Sequence, residues 1–347
     1  MYFKKIAAAI VLFGLIGSGI FSYYIYSVML VPNTNFSSKE AYIFVPTSAS
    51  FLDVKNDLKP LLKDIETFEV LAKQKKYISN IKAGRFLISN GMTNNDIINS
   101  IRSRNLPIKI TFNNQHSLED LATRISSQIE ANNSDLLKVL SDPEFLEANG
   151  FTNENAIAMY LPNSYEFFWN TSATTFRSRM LKEFKRYWNE ERLIKAKNIG
   201  LSSLQVMALA SIVHEESKQV SEQARIAGVY MNRLNNGWPL QADPTIKFAA
   251  YKLPYNNNTI IKRVLNKHKS IVSPYNTYMN KGLPPGLIAM PDLSAINAVL
   301  NYETHSYYFF AADAEKPGLH KFSKNLSGHN RNAKAYQSYL NLKGIKK

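Results

Sequence analysis

The sequence predicts an α+β protein: an N-terminal transmembrane helix, a small mixed subdomain, and a larger mixed α/β domain. Three observations carry this reading. An uncharged stretch runs from Ile6 to Ser38 behind Lys4 and Lys5. Beyond it, segments with strand-type alternation and segments with helical periodicity are interspersed to the C-terminus. The chain has 347 residues, 45% of them hydrophobic, enough for an anchor and one or two globular units.

Ile6–Leu30 is mostly apolar and long enough to cross a bilayer as a helix. Tyr23, Tyr24 and Tyr26 suit the far interface, and Lys4 and Lys5 place residues 1–5 in the cytoplasm by the positive-inside rule. Everything after about residue 31 is then extracytoplasmic. A cleaved signal peptide is the competing reading, but its apolar core would be shorter and a small-x-small site is weak here.

Residues 31–40 (VPNTNFSSKE) read as a polar spacer, and residues 41–105 as the small subdomain. The subdomain opens with the strand-like AYIFVP. A helical pattern over Phe51–Leu62 follows, with Leu52, Leu58, Leu61 and Leu62 as apolar positions. A second helix is expected around Thr67–Lys75, a turn into a strand at Lys82–Ile88, and a helix over Asp96–Arg102 capped by Thr93. Residues 106–347 form the larger domain. Ile108–Phe112 alternates as a strand, and Ser117 with Asp120 starts a helix in the manner of a capping box.

The formal charge is +15. Such an excess favours polyanions or anionic surfaces, and nucleic acid, acidic lipid headgroups and an anionic cell wall all qualify. No helix-turn-helix or RNP-like pattern supports nucleic acid. The chain has no cysteine, which excludes disulfides, thiolate nucleophiles and thiolate metal sites. His214-Glu215-Glu216-Ser217-Lys218 lacks the second histidine of a zinc helix, and the other histidines show no ligand spacing. P-loop, GxGxxG and GxSxG motifs are absent. Neither metal nor cofactor is expected.

The informative segment is 200–243. Ser202 with Gln205 reads as a capping box for a largely buried helix over Leu204–Glu216. Helical spacing puts Leu209, Ile212, Val213 and Glu216 on one face, with Glu215 on another. A carboxyl that continues an apolar stripe is costly as an anion, so its pKa should rise toward that of a general acid. The bland alternative is an ion pair from Glu216 to Arg225 or Arg233. Two proline-stiffened loops, Trp238–Thr245 and Ser273–Gly286, offer Gln, Asn, Asp and Tyr groups suited to sugar contacts.

These residues are together similar to the endolytic murein transglycosylases, the MltG/YceG-like family. The matching segments are Ala210–Ser217, Asn232-Arg233-Leu234, Leu240–Thr245, Ser273–Tyr278 with Gly282–Gly286, and Tyr308-Phe309 with Phe322–Leu326 and His329-Asn330. Lys82–Phe86 resembles the family's small LysM-like unit. The resemblance implies a lyase that cleaves the MurNAc–GlcNAc bond within nascent peptidoglycan strands and leaves 1,6-anhydro-MurNAc ends, with Glu216 as the single catalytic acid. Gln241, Asp243, Tyr275, Asn276 and Arg233 are candidates for binding substrate. Peptidoglycan glycan strands are the expected partner, wall synthases a further one, and the cytoplasmic (inner) membrane the expected location. The rival is a non-catalytic, glycan-binding scaffold that recruits synthases. His214 stands where relatives commonly carry glutamate, Asn163 where many carry aspartate, and Ile157 where many carry glutamate.

Overall fold

The computed structural model describes residues 2–252, 261 and 264–343. The chain divides into two compact units. One comprises Met1–Ile110, Gln128–Ala131 and Tyr165–Ser172, and the other Thr111–Ser127, Asn132–Ser164 and Ala173–Lys347.

The first unit begins with α1 (Tyr2–Leu30), an apolar helix long enough to cross a membrane. Its residues are exposed almost to its end, where Val28 buries itself in the core of this unit. There β1 (Glu40–Val45) pairs antiparallel with β2 (Gly84–Ser89), in register from Glu40 opposite Ser89 to Val45 opposite Gly84. Between the strands lie α2 (Phe51–Leu58), a short 3-10 turn over Lys59–Leu61, and α3 (Ile65–Gln74). The pattern expected as one helix to Leu62 is thus broken after Leu58, because Pro60 cannot continue the hydrogen-bond ladder. After β2 come α4 (Asn94–Ser103) and β3 (Pro107–Phe112).

Local sequence explains these helix starts. Ser50 and Asp53 close a capping box on α2, Thr93 and Asp96 another on α4, and Asp64 caps α3. Alternate residues of β2 face inward, so Phe86 and Ile88 meet Val54, Phe68 and Ile97 in the core. Residues 31–40 are drawn onto this unit. Asn33 Nδ2 donates to Asn94 Oδ1 (2.7 Å), and the buried Asn94 donates in turn to the carbonyl of Val28 (2.9 Å). A satisfied buried amide of this kind fixes the exit of α1.

The second unit carries α5 (Leu118–Ser126), α6 (Asn133–Leu140), α7 (Pro143–Ala148) and the loop after it; the chain then enters β4 (Asn163–Phe168), which pairs with β3 and belongs from Tyr165 on to the first unit. Then follow α8 (Ala173–Tyr187), α9 (Glu190–Asn198), α10 (Ser203–Glu216), α11 (Val220–Asn235), α12 (Asp243–Tyr251) and α13 (Leu293–Leu300). The chain ends in the hairpin β5 (Phe309–Ala312) and β6 (His320–Ser323), covered by α14 (Leu326–Leu342).

Helix α10 is the axis of this unit. Ser202 and Gln205 form the expected capping box, and every residue from Val206 to His214 is buried. Helices α11 and α13 are its neighbours, and Gly228 of α11 leaves room for the backbone that follows α13: a Cβ there would lie 2.2 Å from the carbonyl oxygen of Glu303. The buried Glu222 of α11 holds the hairpin, accepting from the His320 N–H at 2.7 Å with His320 Nδ1 at 3.1 Å.

Candidate active site

Glu216 is the last residue of α10, so its carboxyl sits at the negative end of a buried helix. The side chain is densely walled by protein yet keeps partial access to a cleft of about 330 Å³. Burial pushes its pKa up to about 7, with a further push from the nearby Asp243. A hydrogen bond from Tyr230 and the charges of Lys247 and Arg233 oppose the rise without cancelling it.

The ion pair that the sequence left open does not form. Arg225 pairs with Glu303 at 2.9 Å. Arg233 spends its guanidinium on main-chain carbonyls, donating to Tyr308 O at 2.8 Å and to Leu240 O. The partner of Glu216 is the Tyr230 hydroxyl, which donates to Oε1 at 2.6 Å. Tyr230 is itself buried and stands three residues before Arg233 on α11, so both side chains lie on one helix face.

Asp243 opens α12, where the helix dipole favours negative charge. Tyr278 donates to its Oδ1 at 2.6 Å. The preceding Gln241 has φ of 51°, a left-handed conformation that a non-glycine residue adopts at a cost, and its N–H is held by the carbonyl of Thr277 at 2.9 Å. Thr277 also binds the Ala242 N–H (3.0 Å) and Thr245 Oγ1 (2.8 Å). The two proline-rich loops are therefore stitched together through a buried threonine pair. Phe309 and Phe310 of β5 add aromatic faces to the cleft, and Tyr230 packs edge-on against Phe310 at 5.9 Å.

The structure thus brings Glu216, Arg233, Gln241 and Asp243 to one cleft. It does not bring Tyr275 and Asn276 there. Asn276 is fully buried and donates to the carbonyls of Lys269 and Ile271 at 2.9 and 2.7 Å, so it shapes the loop that presents Tyr278. Tyr275 packs against Phe248, ring centroids 4.7 Å apart and tilted by 55°, and lines a different cavity. Sequence reasoning missed Tyr230 and Tyr278. The signal for Tyr230 was its helical spacing from Arg233, and that for Tyr278 was its place in the same loop motif as Tyr275.

The adjacent glutamate differs as expected. Burial would raise the Glu215 pKa, but the hydrogen bond from Lys218 Nζ at 2.8 Å and the charges of Lys218, His116 and His214 bring it below its ordinary value. His214 is buried in the domain, its Nδ1 3.5 Å from Asp292 Oδ2, and burial lowers its pKa. Among the described residues, no group of three or more His, Asp or Glu side chains is placed to hold a metal ion.

A family profile described as the YceG-like family matches residues 43–335. The chain is 29% identical over 337 residues to the endolytic murein transglycosylase of Bacillus subtilis (strain 168), covering 92% of this chain and 90% of that one. It is 26% identical over 358 residues to the protein of the same name from Streptococcus pneumoniae serotype 2, where the match spans 93% of this chain and 63% of the relative's length. A crystal structure of a yceG-like protein from Listeria monocytogenes superposes with a TM-score of 0.57 at 25% identity, over 85% of this chain and 99% of that chain.

Proposed function

Because this chain belongs to the YceG-like family, we propose that it is a peptidoglycan lytic transglycosylase that cuts within glycan strands, as the names of its Bacillus and Streptococcus relatives describe for those proteins. The observation that carries the reading is Glu216: a carboxyl whose pKa is raised to about 7, hydrogen-bonded to Tyr230 and without a salt bridge among the described residues, in a cleft that Gln241, Tyr278, Phe309 and Phe310 also line.

The chemistry needs one acid. Glu216 donates its proton to the oxygen linking C1 of MurNAc to GlcNAc as that bond breaks. The MurNAc 2-acetamido group assists departure. The MurNAc 6-hydroxyl then attacks C1 and returns its proton to the Glu216 carboxylate, giving a 1,6-anhydro end with no water consumed. Tyr230 holds one Glu216 oxygen, so the other is presented to the sugar. Gln241 and the Asp243–Tyr278 pair supply hydrogen bonds for sugar hydroxyls. Arg233 acts at one remove, by tying the Gln241 loop to β5.

In this reading α1 is a single-pass anchor in the cytoplasmic membrane, with the N-terminus inside, the catalytic domain outside and wall synthases as further partners. Within the first unit, residues 41–105 are a LysM-like glycan-binding subdomain, a reading supported by their strand–helix–helix–strand order. A purely scaffolding protein would have no use for a protonated acid buried beside Tyr230. The test is digestion of purified peptidoglycan by the full-length protein, with mass spectrometry of the products. Anhydro-MurNAc ends should appear with the native protein and vanish with Glu216→Gln. Intact strands in the native digest would refute the proposal.

A further inference from the structure

Glu215 and Glu216 are consecutive, yet they line different cavities. The same is true of Asp243, in the Glu216 cleft, and Pro244, in a second cavity of about 420 Å³. The last turn of α10 and the first turn of α12 therefore form a wall shared by the two. On the far side, α12 presents one face to the second cavity through Pro244, Lys247, Phe248 and Tyr251, spaced i, i+3, i+4 and i+7. His116 and Phe248 also line a third cavity of about 670 Å³, where Tyr275 packs tilted against Phe248 at 4.7 Å and Lys252 Nζ sits 5.6 Å over the Phe248 ring. The two spaces adjoin at His116 and Phe248 and together are called the trough.

The trough is built differently from the cleft. Its floor is apolar and buried, formed by Pro244, Leu287 and Ile288. Its rim carries both signs of charge: exposed Asp120 with Glu215, and exposed Lys247 with Lys252. Asp120 and Lys247 have no salt bridge among the described residues. A neutral glycan has no use for charges of both signs, whereas a short peptide bearing an amine, carboxylates and alanine methyls matches all three elements.

We propose that this trough receives the peptide stem carried by the MurNAc residue next to the bond that Glu216 cleaves. The inference rests on the transglycosylase reading, in which the substrate branches at MurNAc: the glycan occupies the Glu216 cleft, and the stem crosses the α10–α12 wall. Asp120 and Glu215 meet the amine of the diamino acid, Lys247 and Lys252 meet the stem carboxylates, and Phe248 with Tyr275 covers the alanine methyls.

The test measures binding apart from cleavage. A stem tetrapeptide (L-Ala, γ-linked D-Glu, a diamino acid, D-Ala) is titrated into the full-length Glu216→Gln protein in detergent. Saturable binding is expected, weakened at least tenfold by adding Phe248→Ala and likewise by adding Asp120→Asn, an exposed isosteric change that leaves packing alone. Absence of saturable binding, or binding indifferent to both changes, overturns the proposal. The native protein is then scored on stem-bearing strands and on strands stripped of peptide by an amidase. Faster cleavage of stem-bearing strands is expected, and equal rates on both overturn the stem site alone. Failure on both substrates refutes the transglycosylase reading, while the binding titration still decides the trough.

Discussion

The phenol of Tyr230 donates to Oε1 of Glu216 across 2.6 Å, so the acid reaches the cleft with one oxygen already engaged. Burial raises the Glu216 pKa to about 7, and the Tyr230 bond holds it below where burial alone would put it. Cleavage needs the protonated acid, so kcat/KM should fall about tenfold per pH unit above about 7. Tyr230→Phe removes a group that stabilises the anion. The alkaline limb should then move to higher pH, while the rate on the plateau falls through loss of orientation. A limb that stays in place or moves down would show that Tyr230 does not set the acid.

The two neighbouring glutamates should separate in activity. Glu216→Gln cannot donate a proton and should lose on the order of a hundred- to ten-thousand-fold in rate. Glu215 faces the trough and is bound by Lys218, so Glu215→Gln should keep most cleavage of stripped glycan. Parallel losses in the two variants would place the acid wrongly.

Glu216 also links stability to pH. Its folded pKa is raised from 4.5 to about 7, so the neutral form is favoured on folding. The stability this group contributes is whole below about pH 4.5 and is lost as pH rises through about 7. The cost above pH 7 is at most about 3–4 kcal/mol, reduced by the partial exposure of the side chain. Glu216→Gln does not titrate. It should unfold at a higher temperature than the native protein at pH 8 and at the same temperature at pH 4.5. A gain that is equal at both pH values would assign the effect to packing.

Gly228 is the point where the backbone at Glu303 touches α11. A Cβ there would come within 2.2 Å of a main-chain oxygen and 2.7 Å of His305 Nε2. Gly228→Ala should cost about 1–3 kcal/mol or more, because neither α11 nor the 301–305 segment can retreat without breaking the Arg225–Glu303 pair or the Asn232 bonds to the carbonyls of His305 and Tyr307. Thermal unfolding several degrees below the native value is expected. An unchanged midpoint would mean that this packing is looser than it stands here.

Local features were the most legible in the sequence, because their physics is local. The Thr93 cap and the Ser202–Gln205 capping box were readable from one or two residues each, whereas at Ser117 the side chain caps α5 through the Asp120 N–H alone. The face of α10 that ends at Glu216 was readable too, since helical periodicity alone separates it from Glu215. What the sequence hid was long-range. Whether Glu216 meets an arginine or a tyrosine depends on how α11 packs on α10, and on carbonyls from residues 240 and 308 claiming Arg233 first. Tyr275 and Tyr278 lie three residues apart in one loop, and only the fold sends one to the trough and the other to Asp243.

The carboxylate of Asp243 tests the chemistry itself. It is the second acid in the cleft, raising the Glu216 pKa by its charge. If it positioned a water opposite Glu216, the protein would be a hydrolase and leave reducing MurNAc ends. Its Oδ1 is instead engaged by Tyr278 across 2.6 Å, and its backbone neighbours are locked to Thr277. That suits a group that orients a sugar hydroxyl and braces a loop. Digestion in oxygen-18 water should therefore give new MurNAc ends without label, lighter by one water than reducing ends. Asp243→Asn should slow the reaction but leave the product unchanged, because the amide can still bond to Tyr278 and to a hydroxyl. Tyr278→Phe should slow it similarly, through the freed Asp243 side chain. Label at C1 of the new ends would overturn the lyase mechanism, and its loss in Asp243→Asn would identify Asp243 as the base that activates water.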